Sequence, residues 1–367
     1  LEMLGSCLSI CDLRSALNRL PKGVDAMYAA TMERIEQQAD PLLVKRTLVW
    51  LVYTLESMTI NDLRHALAID LDTSKYDPEL LVDAESLLSA CCGLITLEPQ
   101  FVNYTAKDFL ETYLQKDYPE PHALIASSCV AHLIYRGFQD MKDFVENEYG
   151  SPFVGYSHRQ RATYSHLCAS VPPNTVNFIL QCCRFPILHI SRQSIQDGSS
   201  VHVAAAFDFL LLLREWFQQT QPSGPDPFPH QLDVNIGTEM QGHTPLRIAT
   251  MLGNIETVRE LLGVEGIDVC RPDKWGTRTA LLNAIHRRQY GVVKELLRVK
   301  DINVNHCPSD GSALRHASLC SSTDIVQLLL DHPGIDINIT GKVGWTALDF
   351  ASQSGYEDTA ALLQSRG

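Results

Sequence analysis

The stretch Gly242-His-Thr-Pro-Leu-Arg-Ile-Ala249 decides the fold, because the chain returns to it three more times. Arg278-Thr-Ala-Leu-Leu-Asn-Ala284, Gly311-Ser-Ala-Leu-Arg-His-Ala317 and Gly344-Trp-Thr-Ala-Leu-Asp-Phe-Ala351 follow the same plan. The equivalent hydroxyl residues are Thr244, Thr279, Ser312 and Thr346, spaced 33 to 35 residues apart. A fixed period of this length predicts a solenoid, and a solenoid presents a long surface to a partner.

Each recurrence can be read mechanically. Thr244 caps a short helix and Pro245 takes its first turn, where a missing N–H costs nothing. Leu246 and Ala249 face inward, and Gly253 ends the helix. A second helix follows, with Val258, Leu261 and Leu262 on one face. The matching second helices carry Val292, Leu296 and Leu297, then Ile325, Leu329 and Leu330, then Leu362 and Leu363. A closing phrase recurs as well: Leu232-Asp-Val-Asn235, Ile267-Asp-Val269, Ile302-Asn-Val-Asn305 and Ile335-Asp-Ile-Asn338. It reads as an extended stretch leading into the next hairpin. Together these phrases closely resemble the ankyrin repeat, over residues 231–367 with about four copies. A degenerate fifth copy precedes them at Ser199-Ser-Val-His-Val-Ala-Ala205, within residues 199–230, and a Pro- and Gln-rich insertion separates it from the next. The repeat that contains Thr279 reads as carrying an extra residue at Gly276-Thr277.

Composition sets the outer bounds. Of 367 residues, 45% are hydrophobic, enough for real cores. The net charge of −13 argues against nucleic acid or an anionic membrane as partner. Eleven cysteines without a Cys-x-x-Cys pair read as buried thiols in a reducing compartment. The apolar runs 47–55 and 209–213 fall far short of a membrane span, and no secretory leader opens the chain. The expectation is a soluble, cytoplasmic protein. Because residue 1 is Leu within a helical pattern, the chain reads as part of a longer one.

Residues 1–118 follow another logic. Helices are predicted over 12–20, 25–38, 42–55, 79–92 and 105–114, with a capping box at Thr59-Ile-Asn-Asp62 opening a short helix between the third and fourth. Two short strands, 94–97 and 101–104, follow the 79–92 helix. This order predicts a winged helix over 41–118 after a helical segment over 1–40. DNA binding is excluded by charge: the first 120 residues hold 19 Asp and Glu against 10 Lys and Arg. The phrases Leu20-Pro-Lys-Gly-Val-Asp-Ala-Met-Tyr28, Leu63-Arg-His-Ala-Leu-Ala68, Cys92-Gly-Leu-Ile95 and Val102-Asn-Tyr-Thr-Ala-Lys-Asp-Phe109 resemble the segment that follows the NACHT ATPase domain in fungal NLR-like STAND proteins. That resemblance implies an upstream NACHT domain in cis, absent from this sequence, a winged helix as relay and ankyrin repeats as sensor. The family's usual phrase carries His where Asn103 stands; if that His senses a nucleotide phosphate in the family, this chain has lost it. No Gly-x-x-x-x-Gly-Lys-Ser/Thr loop occurs in the chain.

Residues 119–198 are predicted to be a helical connector. His158, His166 and His189 lack ligand spacing, so neither metal nor other cofactor is expected. The winged helix of this family also carries the name of a GPI inositol-deacylase. The nearest approach to a nucleophile elbow, Gly155-Tyr-Ser-His-Arg159, lacks the second glycine and a leading strand, so no enzyme activity is expected.

The predicted fold is therefore mainly α: a helical segment, a winged helix, a helical connector and a solenoid of four to five ankyrin repeats. The predicted function is protein binding and regulation in a NACHT–ankyrin STAND protein. A free-standing ankyrin scaffold is the alternative, and a cryptic hydrolase a remote one. Ankyrin arrays meet partners at hairpin tips and first helices. On this chain that nominates Met240, Gln241, His243, Met251, Lys274, Trp275, Arg278, His286, Arg287, Lys342, Val343, Trp345 and Gln353. Each of the two tryptophans reads either as an anchor for a partner or as a ring packed on a neighbouring hairpin, and Lys274, Arg278, Arg287 and Arg288 form a basic cluster.

Overall fold

The structure, a computed structural model, describes residues 23–70, 73–96, 105–140, 152–187, 195–218, 232–300, 302–306, 311–320, 322–341 and 344–367. Two compact units divide the chain. One comprises residues 1–136 with 145–175, the other 137–144 with 176–367.

The first unit is helical. Helix α1 spans Val24–Glu36, α2 Pro41–Tyr53 and α3 Ile60–Leu67. Asp40 accepts the Leu43 N–H to start α2, with Pro41 in its first turn. The capping box forms as read: Thr59 Oγ1 accepts from Asp62 N at 3.1 Å, and the Asp62 carboxylate accepts from Thr59 N at 2.9 Å. A two-residue antiparallel pair follows, β1 (Ile69–Asp70) with β2 (Lys75–Tyr76), which the sequence pattern did not announce.

The helix expected over 79–92 is divided. A 3-10 turn covers Pro78–Leu80, the chain extends through Leu81, and α4 (Ala84–Ala90) starts where Asp83 accepts the Ser86 N–H. The Arg64 guanidinium donates to the Val82 carbonyl in the gap at 2.5 Å. Of the first expected strand only an isolated bridge at Ile95 appears among the described residues. The second strand, Asn103 and the helix over 12–20 lie outside the described residues.

Helices α5 (Thr105–Leu114), α6 (Pro121–Tyr135) and α7 (Val154–His166) complete this unit. Its largely aliphatic core holds an aromatic cluster: Trp50 meets Phe153 edge-on at 5.5 Å, and Tyr156 and Tyr164 share a 2.6 Å hydroxyl contact.

The second unit begins with the end of α8 (Pro173–Leu180) and an antiparallel pair, β3 (Phe185–Ile187) with β4 (Ile195–Gly198). That pair corrects the expectation of an all-helical connector. Five helix pairs then follow: α9 (Ser200–Ala206) with α10 (Leu210–Gln218), α11 (Pro245–Leu252) with α12 (Ile255–Leu262), α13 (Ala280–His286) with α14 (Tyr290–Leu296), α15 (Ala313–Leu319) with α16 (Thr323–Leu330), and α17 (Ala347–Gln353) with α18 (Glu357–Arg366). The first helices pack in one column (α9, α11, α13, α15, α17) and the second helices in another. The small residues Ala204, Ala249, Ala284, Ala317 and Ala351 are all fully buried, which lets the backbones of successive first helices approach.

Candidate functional site

The same capping reaction starts each first helix of the array. Thr244, Thr279, Ser312 and Thr346 each accept the N–H three residues on, at 3.2, 3.4, 3.4 and 3.3 Å. In three repeats the side chain at that third position then reaches the next repeat. In the degenerate copy it is His202. Its Nδ1 faces the Ser199 N–H at 3.1 Å, and its Nε2 faces the carbonyls of His243 and Ile236 at 2.8 and 3.1 Å. Only the tautomer protonated at Nε2 satisfies all of these contacts. Burial holds this imidazole neutral, with its pKa lowered to about 4.

In the next repeat the position is Arg247, buried and paired with the buried Asp273 at 3.3 Å. Burial lowers the Arg247 pKa to about 10. Burial alone would raise the Asp273 carboxyl. The N–H and hydroxyl of Thr277, together with Arg247, outweigh it and hold the group below its ordinary value. The position is Leu282 in the third repeat and Arg315 in the fourth, where the guanidinium lies 4.1 Å over the Phe350 ring.

The hairpin tips are built alike. Thr238 N donates to His243 O at 3.0 Å, and Asp273 N to Arg278 O at 2.9 Å. The two tips therefore have equal length, and the expected extra residue at Gly276-Thr277 is instead a one-position shift of the turn glycine. Gly242 and Gly276 both take the left-handed conformation these turns need. Met240 and Trp275 hold equivalent places on adjacent tips, 60% and 64% exposed. Lys274 N donates across to Gln241 O at 3.1 Å, tying one tip to the next.

The nominated residues separate by burial. Met240, Lys274, Trp275, Arg278, His286 and Gln353 are exposed, and Gln241, Arg287 and Trp345 half-buried. His243 and Met251 are buried, which removes both from the accessible surface: the pairing of Thr238 with His243 closes the hairpin and turns His243 inward, and Met251 lies on the buried α11. Burial lowers the His243 pKa to about 3. Lys342 and Val343 lie outside the described residues. The two tryptophans differ: Trp345 packs on Phe350 at 4.9 Å between ring centres, whereas Trp275 stands open. Burial, then Arg278, then Arg287 push the His286 pKa down, which marks this end of α13 as electropositive.

Three features escaped the sequence reading. Asn235 and Asn305, ending two of the closing phrases, donate to the carbonyls of Gly266 and Gly334 in the next phrase, each at 2.7 Å. They accept in return from Asp268 N and Asp336 N. These phrases are side-chain-capped turns rather than extended segments: the second residue of each, Asp233, Asp268, Asn303 or Asp336, accepts the N–H two residues on. Arg288 occupies the left-handed slot that Gly253 and Gly355 fill in neighbouring repeats. The recurring Asn and the missing glycine were the available signals.

Ser157, in the fragment nearest to a nucleophile elbow, is fully buried inside α7. Among the described residues no group of three His, Cys, Asp or Glu is placed to hold a metal, and no helix is long and apolar enough to cross a membrane.

Stacked helix pairs joined by hairpins define a repeat solenoid of the kind that offers an extended binding face. The family model for ankyrin repeats matches residues 166–306, 246–341 and 281–367. The putative ankyrin repeat protein YahD of Escherichia coli K12 is 30% identical over 145 residues, covering 37% of this chain and 71% of YahD. The chain belongs to the ankyrin-repeat family. It is also 29% identical over 147 residues to the mouse serine/threonine-protein kinase TNNI3K, covering 37% of this chain but only 17% of that kinase.

Proposed function

We propose that this chain is the protein-binding and regulatory part of a NACHT–ankyrin STAND-type signalling protein that works inside the cell. The array is the sensor, and the helical unit over 41–118, folded as a winged helix, relays its state to an ATPase domain upstream in cis. The observation that carries the binding role is the pair of adjacent hairpin tips with open apolar side chains, Met240 and Trp275, on a continuous stack of repeats. An exposed tryptophan on such a scaffold favours an anchor for a partner. The phrases around Leu20–Tyr28 and Val102–Phe109 support the signalling context. The acidic 41–118 region speaks against nucleic acid.

Two measurements test this. The reading frame upstream of Leu1 is expected to contain a phosphate-binding loop; a start codon just before Leu1 leaves a free-standing scaffold instead. Hydrogen exchange on the full protein with its co-purified partner is expected to protect the tips over 238–243 and 273–278. Protection confined to the second-helix column would overturn the binding surface.

A further inference from the structure

Cations on this array come in two kinds. Four on or just past the second helices are neutralised: Arg214 meets Glu260 at 2.6 Å, Arg259 meets Glu295 at 2.9 Å, Arg298 also meets Glu295, and Arg366 meets Asp331 at 2.6 Å. Lys274 and Arg278 at the tip of the third repeat and Arg288 after its first helix are not. Among the described residues no carboxylate lies within ion-pair distance of Lys274, Arg278 or Arg288. Lys274 Nζ instead donates to the backbone carbonyl of Glu239 at 3.1 Å, while the Glu239 side chain is exposed on the neighbouring tip. Arg278 precedes the cap of α13, and Arg287 follows its last turn. Burial and then Arg278 lower the Arg287 pKa, so the two guanidinium groups feel one another along the helix. The seven residues of α13 span about 10 Å. Arg288 continues the run in a backbone conformation that disfavours any side chain, at φ 57°.

From this arrangement we propose that the array docks an acidic peptide segment of a partner protein. An apolar side chain of the segment seats on Trp275 and Met240, and its carboxylates run along Lys274 and Arg278. The inference rests on the reading of the array as a binding surface and adds the chemistry of what is bound. Charge complementarity selects the occupant: on a chain of net charge −13, this local cluster of cations beside the open indole attracts an acidic segment. The exposed indole supplies the contact that outlasts salt screening, and the cations supply steering that does not.

The test is selection of a display library of random peptides on the full chain. Chosen peptides are then measured by fluorescence anisotropy, with a single-stranded DNA oligonucleotide as competitor. The expected peptides combine Asp or Glu with an aromatic or aliphatic residue. Trp275→Ala should weaken them by about tenfold or more, as should Lys274→Glu combined with Arg278→Glu. Lys294→Glu, an exposed charge reversal on the second-helix column, should leave them unchanged. Because Trp275 is open to solvent, its replacement leaves folding intact, which a thermal melt of each variant checks. Neutral or basic peptides whose binding ignores Trp275 would overturn the acidic-segment inference and leave the binding array standing. So would an oligonucleotide that displaces the selected peptides and binds more tightly than they do. No selectable peptide at all would remove both readings.

Discussion

Arg288 sits where a side chain is disfavoured. The turn between first and second helix needs one residue in the left-handed region, and Gly253 and Gly355 meet that need at φ 80° and 72°. A Cβ in that region crowds the following carbonyl by about 1–2 kcal/mol, partly offset because glycine gains more freedom on unfolding. Arg288→Gly should therefore raise stability by about 0.5–1 kcal/mol, read as a higher urea midpoint. The same change removes a charge from the basic stripe and should weaken the selected acidic peptides. A variant that is no more stable would show that the arginine makes compensating contacts. Strain kept next to a cationic surface is the pattern left when function and stability pull in opposite directions.

At the scale of elements, the joints between repeats are unequal. Asn235 and Asn305 each lace one closing phrase to the next by two hydrogen bonds, but the intervening phrase ends in Cys270. Its Sγ accepts from Asn303 N at 3.2 Å, where an amide would accept and donate together. Cys270→Asn should restore the second bond and stabilise the array by about 1 kcal/mol, seen as a rise in thermal midpoint. The buried Arg247–Asp273 pair is a joint of another kind. Asp273→Ala leaves a guanidinium buried without its carboxylate and frees the N–H groups of Thr277 and Arg278 that the carboxylate accepts. A loss of about 3–5 kcal/mol is expected. Replacing both members, Arg247→Met with Asp273→Ala, should recover part of it, and equal loss in the double variant would disprove the ion-pair account. These joints explain what the sequence showed and what it hid. The caps were legible because Thr244, Thr279, Ser312 and Thr346 act on their own helix, three residues away. The joints were not, because Arg247 meets Asp273 twenty-six residues on, and nothing in the local pattern announces a partner at that distance.

For the whole molecule, the period made the solenoid legible and even the degenerate repeat, because Ser199 and His202 keep the capping places. The tips were legible as places but not as surfaces. Met240 and Met251 are alike in sequence, and only packing exposes one and buries the other. The breaks in the first unit escaped for a similar reason, since Asp83 restarts a helix that periodicity alone runs through from Pro78. Burial also decides how the chain answers acid. His132, His202 and His243 are held neutral by burial, with pKa values lowered from 6.5 to about 3, 4 and 3. His132 is packed edge-on against Tyr76 and Phe153, at 4.6 and 5.3 Å, and its ring nitrogens find no partner among the described residues. Below the ordinary histidine pKa the unfolded chain takes up protons that the folded chain refuses. The stability these groups confer is thus complete above about pH 6.5 and falls as pH drops toward their folded values, by at most about 1.4 kcal/mol per pH unit for each. Asp273, depressed below 3.8, adds its own loss only at lower pH. Urea midpoints should fall between pH 7 and pH 5. His243→Leu, which removes a buried imidazole whose ring nitrogens likewise find no partner among the described residues, should flatten that fall. A midpoint that stays level from pH 7 to pH 5 would mean these rings are already neutral in the unfolded chain or reach water in the folded one.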